Sequence, residues 1–261
     1  MKKAKAKRAF AFFLLFFFFL AGRSHAADDE LGLVRPLAPY SVFSTFSAFS
    51  LPKGGTSIAY TIERSKDPSF YRHTLGFSYG ISSRAELTAD LPYLDGIEGG
   101  SGFEDLGGAF KYRFLDTGRY RPAVAVLVFG YLPTGEGSLS RDGGGGGGLA
   151  LSRPLGPLLA HANLIYTVSG KGSLHDEVDF LSGLEFAATH SLRMLGEFQL
   201  RKSAVTNTVD LSEVRFGYRL SSGDIFNTFG IGFDLKNRHP KFRIIFSIGA
   251  SFGAIARGFG S

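Results

Sequence analysis

Residues 241–252 read KFRIIFSIGASF, and their alternation decides the fold. Phe242, Ile244, Phe246, Ile248 and Phe252 fall on one side of an extended chain, and Lys241, Arg243, Ser247 and Ser251 on the other. Successive side chains of a strand point to opposite faces, so this is period two and not the 3.6 of a helix. The dyad recurs upstream. In 106–114, Leu106, Phe110, Tyr112 and Phe114 oppose Lys111 and Arg113. In 192–201, Leu192, Met194, Phe198 and Leu200 oppose Arg193, Glu197, Gln199 and Arg201. In 213–220, Val214, Phe216, Tyr218 and Leu220 oppose Glu213, Arg215 and Arg219.

Twelve strands are predicted, at about 56–64, 70–80, 84–92, 104–115, 121–132, 146–153, 158–168, 177–188, 190–201, 209–220, 224–235 and 241–252. The links after even strands are short. Four of those after odd strands are longer: Tyr93–Phe103, Pro133–Gly145, Ser169–Asp176 and Lys202–Thr208. An even strand number with short turns at one end and long loops at the other is the pattern of an outer-membrane barrel, with termini and short turns in the periplasm. The longest apolar run beyond the leader, Ala123–Leu132, is ten residues. That is the length of a membrane strand, not of a membrane helix. With the apolar side outward, Tyr79, Phe114, Tyr218 and Phe252 form a periplasmic aromatic girdle, and Tyr71, Tyr131, Tyr166 and Phe233 an external one. A soluble two-sheet sandwich would hide the same apolar face inside. It has no need of alternating loop lengths or interfacial aromatics. The fold class is therefore all-β, a single antiparallel transmembrane barrel over 56–252.

Residues 1–26 carry an address. MKKAKAKR is basic, Ala9–Ala21 is unbroken apolar, and Ser24 and Ala26 sit at the −3 and −1 positions of a cleavage site. The apolar run spans roughly 20 Å as a helix, too short for an anchor in a ~30 Å hydrocarbon core. The chain is therefore expected to be exported and to reside in the outer membrane of a Gram-negative envelope. Six of the 29 Lys+Arg lie in this leader, which has no acidic residue, so 23 basic residues face 23 acidic ones in the mature chain. The basic pI belongs to the leader and is no evidence for nucleic-acid binding, and no nucleic-acid partner is expected. Cysteine is absent, which excludes a disulfide framework, a thiolate metal site and a lipoprotein acyl anchor. Residues 27–55 break the strand pattern with Pro36, Pro39 and Pro52. Phe43, Phe46 and Phe49 are spaced as one stripe of a helical turn. The segment reads as an extended lead-in or as a plug at the periplasmic mouth. Residues 253–261 form a tail.

Four stretches, FSYGISSRAELTADLPY (77–93), GFEDLGGAFKYRFL (102–115), RPAVAVLVFGYLPTGEG (121–137) and GGLALSRPLG (147–156), carry a further signal. Together with HSLRMLGEFQLRKS and VRFGYRLSSGDIFNTFGIGF, they resemble the outer-membrane barrel family named for the MetA-pathway of phenol degradation. The resemblance covers most of 56–252. It implies passage of small, often aromatic, molecules, and it makes Glu197 the counterpart of an inward-facing family glutamate. Barrels of this kind end on an aromatic residue, whereas here Phe252 is followed by nine more residues.

The inward charges are the candidate site: Glu86, Asp90, Lys111, Arg113, Glu185, Arg193, Glu197, Arg201, Glu213, Arg215, Arg219 and Arg243, with Arg84, Asp234 and Lys241 on the same face. They read as a charged eyelet that selects solutes or as a cross-strand ion-pair ladder that fills the lumen. The loop over 133–148, with six glycines, reads as mobile; it lacks the Gly-Lys-Ser/Thr ending of a phosphate loop. An enzyme on this scaffold needs a His within reach of a Ser. Among His73, His161, His175, His190 and His239, only His161 has a polar same-face neighbour, Asn163, and no Ser flanks the pair in the strand. No metal-ligand spacing appears and no cofactor is expected. The expected partners are outer-membrane lipids and lipopolysaccharide, the barrel-assembly machinery and a small solute. The expected role is a diffusion channel, with a closed structural or surface-interaction barrel as the alternative.

Overall fold

The computed structural model describes residues 41–66, 69–97, 100–140, 142–170, 176–203, 211–236 and 242–253. The leader, the C-terminal tail beyond Gly253, Lys241, His175 and His239 lie outside these residues. The described chain is one antiparallel sheet closed on itself: β1 (Thr56–Lys66), β2 (Phe70–Gly80), β3 (Ala85–Ile97), β4 (Gly100–Phe103), β5 (Leu106–Leu115), β6 (Ala123–Leu132), β7 (Gly144–Leu155), β8 (Leu158–Ser169), β9 (Glu177–Ala187), β10 (Leu192–Ser203), β11 (Leu211–Ser222), β12 (Ile225–Asp234) and β13 (Phe242–Phe252). β1 pairs with both β13 and β2, and β2 with β3, which closes the ring. β4 and β5 both pair with β3 and run end to end, so the barrel has twelve staves.

Closure removes every sheet edge, which a lipid phase requires, since unpaired backbone groups there would have no water. The dyad then sorts the side chains. Phe110, Val128, Leu164, Phe180, Phe216 and Phe246 are exposed on the outer face, while Lys111, Glu185, Glu197, Arg215 and Arg219 are buried inside. This exposed apolar belt, wrapped around a closed barrel, places the protein in the outer membrane. The periplasmic girdle stands as expected, with Tyr79, Phe114, Tyr218 and Phe252 all exposed. The external one needs a correction. Tyr71, Tyr166 and Phe233 are exposed, but Tyr131 is buried and packs edge-on against Phe129, with ring centroids 5.9 Å apart. β6 is apolar on both faces, so the sequence pattern could not say which set turned inward.

Two loops differ from expectation. Tyr93–Phe103 is not an open loop: β3 continues to Ile97 and the chain returns as β4. Its partner pairing shifts by one residue between β4 and β5, a bulge that turns consecutive Glu104 and Asp105 both inward. The six-glycine tract is likewise no free loop. Gly144–Gly148 pair with β6 and β8 as the start of β7. A Cβ on Gly146 would lie 2.5 Å from the Phe129 ring and 2.1 Å from the Tyr166 carbonyl oxygen, so only glycine fits this crowded corner. The described residues of the loop before it are tied down. Asp105 Oδ1 accepts from Gly135 N at 2.8 Å and from Ser140 Oγ at 2.9 Å, and Leu139 is buried with Phe70 and Leu94.

Candidate functional site

The lumen is not empty: residues 41–51 run through it. No helical turn forms; the chain bends at 42–44 and Ser41 bridges Phe46. This strap is held mainly through its own backbone. Glu197 Oε2 accepts from Ser44 N at 2.7 Å, from Thr45 N at 2.8 Å and from Thr45 Oγ1 at 2.7 Å. Asn163 clamps Phe46 on both sides: its Oδ1 accepts from Phe46 N at 2.6 Å and its Nδ2 donates to Phe46 O at 2.8 Å. Ser152 Oγ accepts from Ala48 N at 2.7 Å, and Glu86 Oε2 from Leu51 N at 2.7 Å. Arg219 donates to Ser41 O at 2.8 Å. A non-helical, non-sheet segment buried in a protein must find partners for its amides, and here the wall supplies them.

The wall makes room for the strap. A Cβ on Gly183 would meet Val42 Cγ2 at 2.6 Å, and one on Gly230 would meet the Phe43 ring at 2.3 Å. The strap's apolar side chains have matching surfaces. Phe46 and Ala48 join Ala109, Ala123, Ala125, Leu127, Phe129, Ala150, Ile165 and Leu181 in one cluster, while Val42 and Phe43 join Leu195 and Ile245.

The expected charges fall into three groups. Around Glu197, Arg215 donates to Glu197 Oε1 and Glu213 Oε1, both at 2.8 Å, and to Gln199 Oε1 at 3.0 Å. Arg243 extends this network, lying 3.5 Å from Glu213 and bonded to Glu63. Arg201 pairs with Asp179 at 3.0 Å and Glu177 at 3.4 Å. Lower in the barrel, Glu185 takes Arg193 at 2.9 Å and His161 Nε2 at 3.3 Å, with Arg219 at 3.9 Å. On the far side Lys111 pairs with Glu86 at 3.0 Å, and Asp90 is buried nearby on the same strand as Glu86.

Three residues predicted inward stand at the ends of the barrel and not deep in the lumen; of these, Arg113 and Asp234 keep the inward register, across from Ala125 and Glu213, and only Arg84 leaves it. Arg84 is exposed in a short turn and bonds Asp116 rather than lining the lumen. Arg113 stands at the rim, between Asp116 at 2.9 Å and the Phe49 ring at 5.6 Å. Asp234 caps a turn by accepting from Lys236 N at 2.8 Å.

Several lumen groups went unread in the sequence: Glu63, Arg72, Glu104, Asp105, Ser152, Asn163 as a clamp, and Asp179. Arg72 and Glu104 pair at 2.7 Å near the external mouth. No Ser flanks His161 within β8, as read, but one reaches it from the neighbouring strand. Ser152 stands directly across the hairpin on β7, with its Oγ 2.8 Å from His161 Nδ1. Ser152 Oγ accepts from Ala48 N–H and shares a hydrogen bond with His161 Nδ1, while His161 Nε2 lies 3.3 Å from Glu185 Oε1. The register Leu155↔Leu158, counted back three pairs, gives Ser152↔His161, so the signal was the tight turn at Gly156.

Likeness to solved structures is clear at the level of fold. An outer-membrane channel from Pseudomonas putida F1 aligns with 78% of this chain and 98% of its own, at 13% identity and a TM-score of 0.56. The KdgM porin, in complex with disordered oligogalacturonate, aligns with 75% of this chain and 99% of its own, at 9% identity and a TM-score of 0.59. The NanC porin aligns with 74% and 98%, at 8% identity and a TM-score of 0.58. No protein-family model and no curated protein sequence matches the chain. Barrel, belt and likeness together define the class: an outer-membrane β-barrel whose fold is that of channels and porins.

Proposed function

We propose that the chain is a channel for small solutes, throttled by the strap at 41–51. The observation that carries this reading is how the strap is attached. It is bound by side-chain atoms of the wall, at Glu197, Asn163, Ser152 and Glu86, and not woven into the sheet. Those atoms are what a solute meets once the strap moves. The eyelet and the ladder then coexist. Arg215, Arg219, Arg243, Arg201, Lys111 and their carboxylates hold one another along the wall, and the remaining valences face the strap. Glu86, Asp90, Lys111, Arg113, Glu185, Arg193, Glu197, Arg201, Glu213, Arg215, Arg219 and Arg243 are the proposed pathway residues. The apolar flank of β6 supports an apolar or aromatic solute, as does the resemblance to the phenol-degradation barrel family. In this reading 1–26 is a cleaved leader, 27–55 a lead-in ending in the strap, and 253–261 a tail.

The test compares the refolded chain lacking 1–26 with one lacking 1–51, by single-channel conductance in planar bilayers and by flux of small aromatics into liposomes. Discrete conductance that rises without the strap is the expected outcome. Equal conductance sinks the throttle. A folded barrel silent in both forms favours the closed structural barrel.

A second reading, an acyl hydrolase, has one observation behind it: the Ser152–His161–Glu185 chain. Labelling of Ser152 by a fluorophosphonate in the strap-free form would support it, and an unlabelled Ser152 removes it.

A further inference from the structure

The outer face of the barrel carries few charges, and two of them stand together. Arg64 and Lys66 are exposed, two residues apart on the outward face of β1, at its C-terminal end. Neither has an ion-pair partner among the described residues. Each is held over an aromatic ring of a flanking strand. The Arg64 guanidinium lies 5.0 Å from the Tyr71 ring centroid on β2 and bonds the Tyr71 hydroxyl. Lys66 Nζ lies 5.9 Å from the Phe242 centroid on β13. Among the described residues the nearest outward carboxylate, Asp95, is two strands from β1 and accepts from Ser101 Oγ at 2.5 Å.

Height decides what meets these cations. A tilted strand climbs roughly 2.6 Å per residue, so Arg64 stands about 20 Å above Thr56, at the top of an apolar band ~25 Å tall. A cation at mid-bilayer costs ~2–4 kcal/mol, but one at the interface costs ~0–1. The short turns and the strap mark the other end as periplasmic, so Arg64 and Lys66 face the headgroups of the outer leaflet. Below them on β1 and β2 the outward column passes one polar pair, Tyr60 and His73, hydrogen-bonded to each other at 2.7 Å, and is otherwise apolar, through Ile58, Leu75 and Phe77. Cations above a hydrocarbon track match an amphiphile with phosphate at its head and acyl chains beneath. The planar Arg fork suits a phosphate monoester, and Lys66, about 7 Å along the strand, adds a second point charge.

We propose that Arg64 and Lys66, framed by Tyr71 and Phe242, bind a phosphate of lipid A, the membrane anchor of lipopolysaccharide. The assignment rests on the barrel and its membrane placement and not on the channel reading. The probe is bis-phosphorylated lipid A, titrated against the refolded chain in detergent micelles and read by native mass spectrometry. Phosphate-free lipid A and phosphatidylglycerol serve as comparisons. With each cation contributing about a factor of five, R64Q/K66Q is expected to lose roughly ten- to thirtyfold in affinity, while K202Q, on another outward strand end, keeps it. The phosphate-free lipid is expected to bind the unaltered chain as weakly as lipid A binds the double variant. Undiminished binding by R64Q/K66Q overturns the proposal, as does equal binding of the phosphate-free lipid. Equal binding of phosphatidylglycerol overturns it in favour of a general anionic-lipid patch. Heat-modifiable mobility reports folding of each variant. If the double variant fails to fold, R64Q alone and the phosphate comparison on the unaltered chain decide.

Discussion

β6 and β11 face each other nearly across the lumen, five staves apart in a ring of twelve, and they are built from opposite chemistry. The inward set of β6 is Ala123, Ala125, Leu127, Phe129 and Tyr131, all buried and all apolar in body. The inward set of β11 is Glu213, Arg215, Gly217 and Arg219, whose three charged members are all buried. The strap resolves the mismatch. It lays Phe46 and Ala48 on the apolar side and hands its backbone donors to Glu197, beside Arg215, on the charged side. A lumen wall need not be uniformly polar when an amphipathic segment of the same chain crosses it. The apolar flank is satisfied by contact, which tolerates sliding. The charged flank is satisfied by directional bonds, which fix register.

The harshest way to break this contrast is to move a charge across it. Leu127→Arg places a guanidinium in the apolar flank directly across from Lys111, whose carboxylate partner Glu86 is already taken, and an uncompensated buried charge costs several kcal/mol. The expected outcome is loss of the folded, heat-modifiable barrel. On the charged flank, Glu197→Ala removes the acceptor of three strap bonds and one partner of Arg215. Breaking a buried pair costs about 3–5 kcal/mol. The barrel is expected to survive in weakened form with the strap released, so that a cysteine at Ala48 gains maleimide reactivity and conductance rises. An unreactive cysteine would show that Glu197 does not hold the strap.

Arg215 and Arg193 separate structure from selectivity. Arg215→Ala leaves Glu197 and Glu213 without their shared cation and is expected to cost about 3 kcal/mol. Arg193, about a third exposed, is expected to cost under ~1 kcal/mol when replaced by Ala. Both should shift reversal potentials toward cation selectivity, measured in asymmetric salt. Equal stability loss from the two, by urea unfolding in vesicles, contradicts the burial difference. The gentlest change is Gly230→Leu, where the new side chain takes the place of the Phe43 ring. It should raise conductance with little change in the barrel's unfolding midpoint.

The sequence settled more of the barrel than of the site. Alternation in 192–201 and 213–220 named Glu197, Arg215 and Arg219 as inward, and they are. The same logic failed at β6, because Val124–Leu132 is apolar at both parities and only its neighbours decide which set turns in. It failed at Glu104–Asp105, where a bulge places two consecutive carboxylates on one face. It missed Ser152 beside His161 because that contact is a cross-strand pair, legible only by counting back from the turn at Gly156.

What the sequence determined by itself is what period two and turn spacing encode locally: a closed twelve-stave barrel, greasy outside and charged inside, for a membrane. What only the tertiary structure decided is what occupies the inside. Ring closure brings Glu86, Ser152, Asn163 and Glu197, spread over more than a hundred residues, around one shared axis. The amides of Ser44, Thr45, Phe46, Ala48 and Leu51 then find there the acceptors that no neighbour in the chain provides.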